Sequence, residues 1–197
     1  MKAAIFIDCQ QDFIDKALKN EKAQEVLPKI VDYAKRCLYN GYKLYATRDT
    51  HQKSGNWAGI GDDCKAYKGY LSTLEGEMLP TEHCIEGTDG WMLDSRLEDV
   101  LLGHCTYVNK DTFGSFDLAD ILAEDGFTRD VHNEDEIVLC GFVTSICVLT
   151  NAAILRTKFP NTKITVKANL CAGLGDEDHR NALNALRLIN ITVDESV

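Results

Sequence analysis

Three residues of types that together can run covalent hydrolysis each follow a short apolar run: Asp8 after Ala3 to Ile7, Lys110 after Thr106-Tyr107-Val108, and Cys147 six residues beyond Gly141. A thiol nucleophile needs a base to take its proton and a cation to balance the thiolate. A carboxylate, a lysine and a cysteine supply those parts. In Gly141-Phe142-Val143-Thr144-Ser145-Ile146-Cys147, either Thr144 or Ser145 can cap a starting helix, which puts Cys147 in or near its first turn. A thiol there, with a lysine nearby, is biased toward thiolate. Taken alone, each residue has a plain role as turn cap, solvated charge or core thiol.

A second group is Asp49 and His51, two apart in Arg48-Asp49-Thr50-His51, with His83 as a natural third. In an extended segment, residues two apart point the same way. Two imidazoles and one carboxylate leave coordination positions open, as in a catalytic rather than a structural metal site. Such a set accepts zinc, manganese, iron or magnesium, with zinc the expected divalent ion. Hydrogen-bonded structural histidines are the alternative.

The elements that must position these groups are short apolar runs alternating with helical patterns. Strands are predicted at Ala3 to Ile7, Lys43 to Thr47, Cys105 to Val108, Ile137 to Leu139 and Ile164 to Val166. Helical spacing runs over Val26 to Leu38, Ser95 to Leu102, Ser145 to Thr157 and Glu177 to Leu188. Strands separated by helices imply right-handed crossovers and a parallel sheet covered on both faces. One α/β domain over 1–197 is the economical organisation. Function is then expected at the carboxyl ends of the strands.

With 21 basic and 31 acidic residues, the 197-residue chain carries a net charge of −10. Such a surface repels phosphate backbones and anionic lipid, which disfavours nucleic-acid and membrane roles. A small neutral or cationic substrate fits the overall charge better. No segment reaches the ~18 to 20 apolar residues of a membrane span, and Asp8 ends the first apolar run before signal-peptide length. A cytoplasmic protein is expected. Eight cysteines without a CxxC pair suggest reduced core thiols.

These motifs resemble the isochorismatase-like cysteine hydrolases, and within them the nicotinamidase-related amidases. The resemblance runs nearly end to end. It is carried by Ile-Asp-Cys-Gln-Gln-Asp-Phe at 7–13, Thr-Arg-Asp-Thr-His at 47–51 and Leu-Pro-Thr-Glu-His-Cys-Ile-Glu-Gly-Thr at 79–88. Further marks are Lys-Asp-Thr-Phe-Gly-Ser-Phe at 110–116, Gly-Phe-Val-Thr-Ser-Ile-Cys-Val at 141–148 and His-Arg-Asn-Ala-Leu at 179–183.

The resemblance implies a three-layer α/β/α sandwich around a six-stranded parallel sheet and a catalytic triad of Asp8, Lys110 and Cys147. It implies a cis peptide at Phe142–Val143, with the Val143 and Cys147 amides as oxyanion hole. It also implies metal ligands Asp49, His51 and His83, and aromatic pocket walls at Phe13 and Phe116. The reaction implied is cleavage of a small carboxamide, nicotinamide or similar, through a thioester. Homo-oligomers are common in the family. A ureido or carbamoyl substrate, or a silent metal-binding or ligand-binding protein, are the alternatives. The chain departs from the family pattern at Thr50, in the lack of a second histidine over Gln52 to Trp57, at Asn169, and in an insert at 57–79 expected near the active site.

Overall fold

Ala3 to Ile7 are all fully buried. Successive strand side chains point to opposite faces, so an unbroken buried run needs cover on both sides of its sheet. In the computed structural model, which describes residues 1–53, 70–132 and 134–196, that run is most of β1 (Lys2–Ile7). The other strands are β2 (Lys43–Asp49), β3 (Cys105–Lys110), β4 (Glu136–Phe142), β5 (Lys163–Ala172) and β6 (Thr192–Asp194). All pair in parallel, in the order β3-β2-β1-β4-β5-β6. Helices cover both faces, giving the three-layer α/β/α sandwich. The sixth strand, absent from the apolar runs, is a short edge strand.

The helices are α1 (Gln11–Ile14), α2 (Glu21–Tyr39), α3 (Leu74–Met78), α4 (Ser95–Leu101), α5 (Phe116–Glu124), α6 (Leu149–Lys158) and α7 (Asp176–Leu188). In α2 the buried residues Ala23, Val26, Leu27, Ile30, Val31, Ala34 and Cys37 follow helical spacing and form one face. The Asn20 side chain caps α2 by accepting from the Ala23 amide.

The strand order reverses direction between β1 and β4, and such a switch point opens a crevice at the strand ends. The two strands approach closely there. Ile7 pairs with Gly141, whose φ is +122°. A Cβ at Gly141 would lie 2.1 Å from the Ile7 carbonyl oxygen. Only glycine permits both that backbone conformation and that contact.

Candidate active site

Asp8 leaves β1 with φ at +47°, in the left-handed region that aspartate tolerates better than most residues. The turn is held across the sheet. The Asp8 amide donates to the Thr47 hydroxyl at 3.1 Å, and that hydroxyl donates back to Asp8 Oδ1 at 2.6 Å. The other carboxylate oxygen, Oδ2, lies 2.7 Å from Lys110 Nζ. Parallel register sets Asp49 beside Lys110 at the ends of β2 and β3, and Nζ is 3.3 Å from Asp49 Oδ1. Nζ also donates to Cys147 Sγ at 3.6 Å. One buried ammonium therefore touches both carboxylates and the sulfur.

The electrostatics follow from burial. Removal from water opposes charge on Lys110, but Asp8, Cys147 and Asp49 outweigh it and hold the ammonium well above its usual pKa. Burial raises the Asp8 carboxyl; Lys110 works against that shift and Asp49 with it. Burial also pushes the Cys147 thiol well up, against Lys110 and with the help of Asp8 and Asp49. Burial opposes the bias toward thiolate that a helix start and a lysine supply. Burial thus favours the thiol form of Cys147, and Lys110 Nζ is the donor at its sulfur.

Asp49, His51 and His83 are buried with one ligand atom each, all within 4.8 Å of one another. Nε2 of His51 and of His83 lie 2.9 and 3.2 Å from the same Asp49 oxygen, Oδ2. His83 Nδ1 pairs with the Thr81 carbonyl at 2.8 Å. A backbone carbonyl on one ring nitrogen leaves the other free to bind a metal, the usual support for a ligating histidine. Burial tends to raise the Asp49 carboxyl, yet Lys110, His51 and His83 hold it below the usual carboxylate range. Two imidazole nitrogens and an ionised carboxylate converging on one point fit a divalent cation.

The model of the isochorismatase domain matches residues 2–195. This chain belongs to the isochorismatase family. It is a hydrolase of that family, and its solved relatives share the fold. The nicotinamidase/pyrazinamidase of Bacillus subtilis is 26% identical over 98% of this chain and 99% of its own, with a TM-score of 0.76. The pyrazinamidase of Pyrococcus horikoshii, solved with zinc, is 21% identical over 99% of both chains, with a TM-score of 0.71. The N-carbamoylsarcosine amidase of Thermoplasma acidophilum is 19% identical over 100% of this chain and 98% of its own, with a TM-score of 0.74. Among curated proteins no sequence matches.

In this isochorismatase-family site, several positioning residues were not visible as chemistry in the sequence. Gln10, fully buried, clamps the Asp49 backbone: Nε2 donates to the Asp49 carbonyl at 2.8 Å and Oε1 accepts from its amide at 2.7 Å. Nε2 donates also to the Trp91 carbonyl at 2.9 Å. Asp12 Oδ2 accepts from the Cys84 amide at 2.7 Å, fixing the residue after His83. Gly90 passes so near that a Cβ there would meet this carboxylate at 2.2 Å. Asn151 ties Cys147 to the loop after Lys110: its amide donates to the Cys147 and Phe113 carbonyls and accepts from the Ser115 amide.

Gln10→Ala strands two buried backbone groups of Asp49 and the part-buried Trp91 carbonyl. It is expected to cost about 2–4 kcal/mol in denaturant unfolding and to weaken metal binding. A loss below about 0.5 kcal/mol would show that the clamp is not what holds Asp49.

Phe13 lies beside the Asp49-His51-His83 group, its ring 5.4 Å from that of His83. Phe116 does not join the site. It is 77% exposed at the start of α5, in a groove with Ala119, Thr150 and Ile154. Its motif neighbour Lys110 ends β3 and points inward, but the chain turns out through Ser115 before Phe116 begins the helix. The Phe142–Val143 peptide is cis.

Thr144 is not a cap: it is buried, and its hydroxyl pairs with His179 Nδ1 at 2.8 Å. A π turn, Thr144–Val148, precedes α6 and carries Cys147. Of the insert, the Tyr70 ring packs tilted against His51 and edge-on against His83, with centroids 4.3 and 4.7 Å apart, and Glu75 accepts from the Phe113 amide at 3.0 Å. Trp57 and Tyr67 lie outside the described residues.

Proposed function

We propose that this chain hydrolyses a small carboxamide, nicotinamide or a close analogue, releasing ammonia through a thioester on Cys147. The observation that carries this reading is the meeting of Asp8, Cys147 and Lys110 in one buried cluster at the sheet's switch point. Asp8 takes the thiol proton as Sγ attacks the carbonyl carbon. The Val143 and Cys147 amides donate to the developing oxyanion. Asp8 returns the proton to the departing nitrogen, and ammonia leaves. A water, deprotonated by Asp8, then cleaves the thioester, and the carboxylic acid departs as the thiol is restored. Lys110 balances charge on Asp8 and sulfur throughout.

Asp49, His51 and His83 would hold a divalent metal, zinc first among the candidates, which would supply Lewis-acid chemistry there. Phe13 supplies an aromatic wall. The working form is a homo-oligomer of single-domain chains, which sedimentation velocity tests.

The deciding experiment is ammonia release from nicotinamide and from an N-carbamoyl amino acid, with protein loaded with one metal at a time. Turnover of nicotinamide should fall at least about tenfold on chelation and return with the ion. Ammonia from the carbamoyl compound alone would move the reading to ureido substrates. Ammonia from neither would overturn it.

A further inference from the structure

The two imidazoles of the Asp49-His51-His83 group are not held alike. His83 has Nε2 beside Asp49 and Nδ1 at the Thr81 carbonyl, so both ends of that ring are tied. His51 has Nε2 at the same Asp49 oxygen. Among the described residues, no hydrogen bond is made at its Nδ1. A ligating histidine usually has its second nitrogen bonded to a partner that sets the plane of the ring. At His51 something else must set that plane.

What lies against it is Tyr70, only 1% exposed, with its ring centroid 4.3 Å from that of His51 and the two planes at 45°. The same ring meets His83 edge-on at 4.7 Å. Tyr70 is itself anchored along its whole length. Its amide donates to the carbonyl of Gln52, the residue after His51, at 3.4 Å. Its carbonyl accepts from the Thr73 hydroxyl at 2.7 Å, and that hydroxyl caps α3 by accepting from the Gly76 amide. Its phenol donates to the Glu75 carbonyl at 3.2 Å. The α3 helix lies so close to this turn that a Cβ at Gly76 would come within 2.3 Å of the Tyr70 carbonyl oxygen. The Glu75 carboxylate then ties α3 to the Phe113 amide in the loop after Lys110. The ring thus has fixed supports, and it lies on the imidazole that lacks one.

We propose that Tyr70 is a positioning residue of the metal site, its flat face setting the plane of His51 as the Thr81 carbonyl sets that of His83. This rests on the reading of Asp49, His51 and His83 as metal ligands. It gives the 57–79 insert a role in holding the ion, through a side chain whose own hydroxyl is engaged by the Glu75 carbonyl.

The test is zinc affinity, read by competition with a chromophoric chelator, in wild-type, Tyr70→Phe, Tyr70→Leu and Tyr70→Met protein. Phenylalanine keeps the flat ring and loses only the hydroxyl, so it should bind zinc nearly as tightly as wild type. Leucine and methionine fill much of the space without a flat face and should weaken zinc at least about tenfold. Either of the two suffices once its metal-free form is shown to unfold cooperatively in urea. Cobalt(II) in place of zinc gives a signature that packing alone does not move. Its visible bands should coincide in wild-type and phenylalanine protein and shift in leucine or methionine protein, where His51 is free to turn. Equal zinc affinity in all the variants overturns the inference and leaves the metal site standing. So does a loss in phenylalanine protein as large as in leucine protein, or a loss of affinity with an unchanged cobalt spectrum. Wild-type protein that binds neither zinc nor cobalt overturns the metal reading, and this inference with it.

Discussion

Cys147→Ala is expected to remove amide hydrolysis, on the order of 10³-fold or more in kcat, while the protein folds and still binds amide. The substitution deletes one small buried sulfur and leaves Asp8, Lys110 and Asp49 paired with one another. Its stability should change by no more than about 1–2 kcal/mol. Cys147→Ser separates nucleophilicity from shape. Serine fits the space, but its hydroxyl is a far weaker acid than the thiol, and Asp8 is a weak base. Serine should therefore be nearly as inactive as alanine.

Because burial and two nearby carboxylates push the thiol up, alkylation by iodoacetamide should be slow at neutral pH and quicken as pH rises. Stopped-assay trapping with hydroxylamine should yield the hydroxamate of the substrate acid from wild-type protein only. Alanine protein that keeps turnover within tenfold of wild type would remove Cys147 from the chemistry.

The strands that matter were legible because both faces of the sheet are covered. A doubly buried strand reads as an unbroken apolar run, as Ala3 to Ile7 does. Thr192-Val193-Asp194 gave no such run, since an edge strand of three residues buries little. The α5 helix was overlooked for another reason: Phe116 closes a motif with Lys110, although Ser115 is the cap that starts the helix by accepting from the Leu118 amide.

The site was legible where a residue's type announces chemistry at a strand end, as for Asp8, Asp49 and Lys110. It was illegible where an amide acts through distant backbone. Gln10 reaches Asp49 across 39 positions, and Asn151 reaches Ser115 across 36. Nothing local marks either one. Thr144 misled because a threonine before a helix is usually its cap, whereas here burial turns it toward His179. The bias toward thiolate, read from a helix start and a lysine, leaves out burial, which pushes the thiol up.

Lys110→Met is expected to cost about 3–5 kcal/mol of stability in metal-free protein and to abolish activity, although methionine matches the lysine stem in length. The ammonium is buried and is the cation shared by Asp8 and Asp49. Removing it leaves two buried carboxylates without that counter-charge. The pH dependence carries the sign. In wild type, Asp49 is held below its usual value, so its contribution is present above the unfolded carboxylate pKa and is lost as pH falls through the folded one.

Without Lys110, burial is no longer opposed by that charge, and the Asp8 and Asp49 carboxyls rise. A raised carboxyl costs stability above the unfolded carboxylate pKa, where the unfolded chain ionises freely. The deficit of the variant against wild type should therefore be largest near pH 8 and shrink toward pH 4, as measured by urea unfolding with chelator present. Saturating zinc should recover part of the loss at Asp49 but not at Asp8, which lies outside the Asp49-His51-His83 group. A deficit independent of pH would mean that the lysine stem's packing, and not its charge, holds the site together.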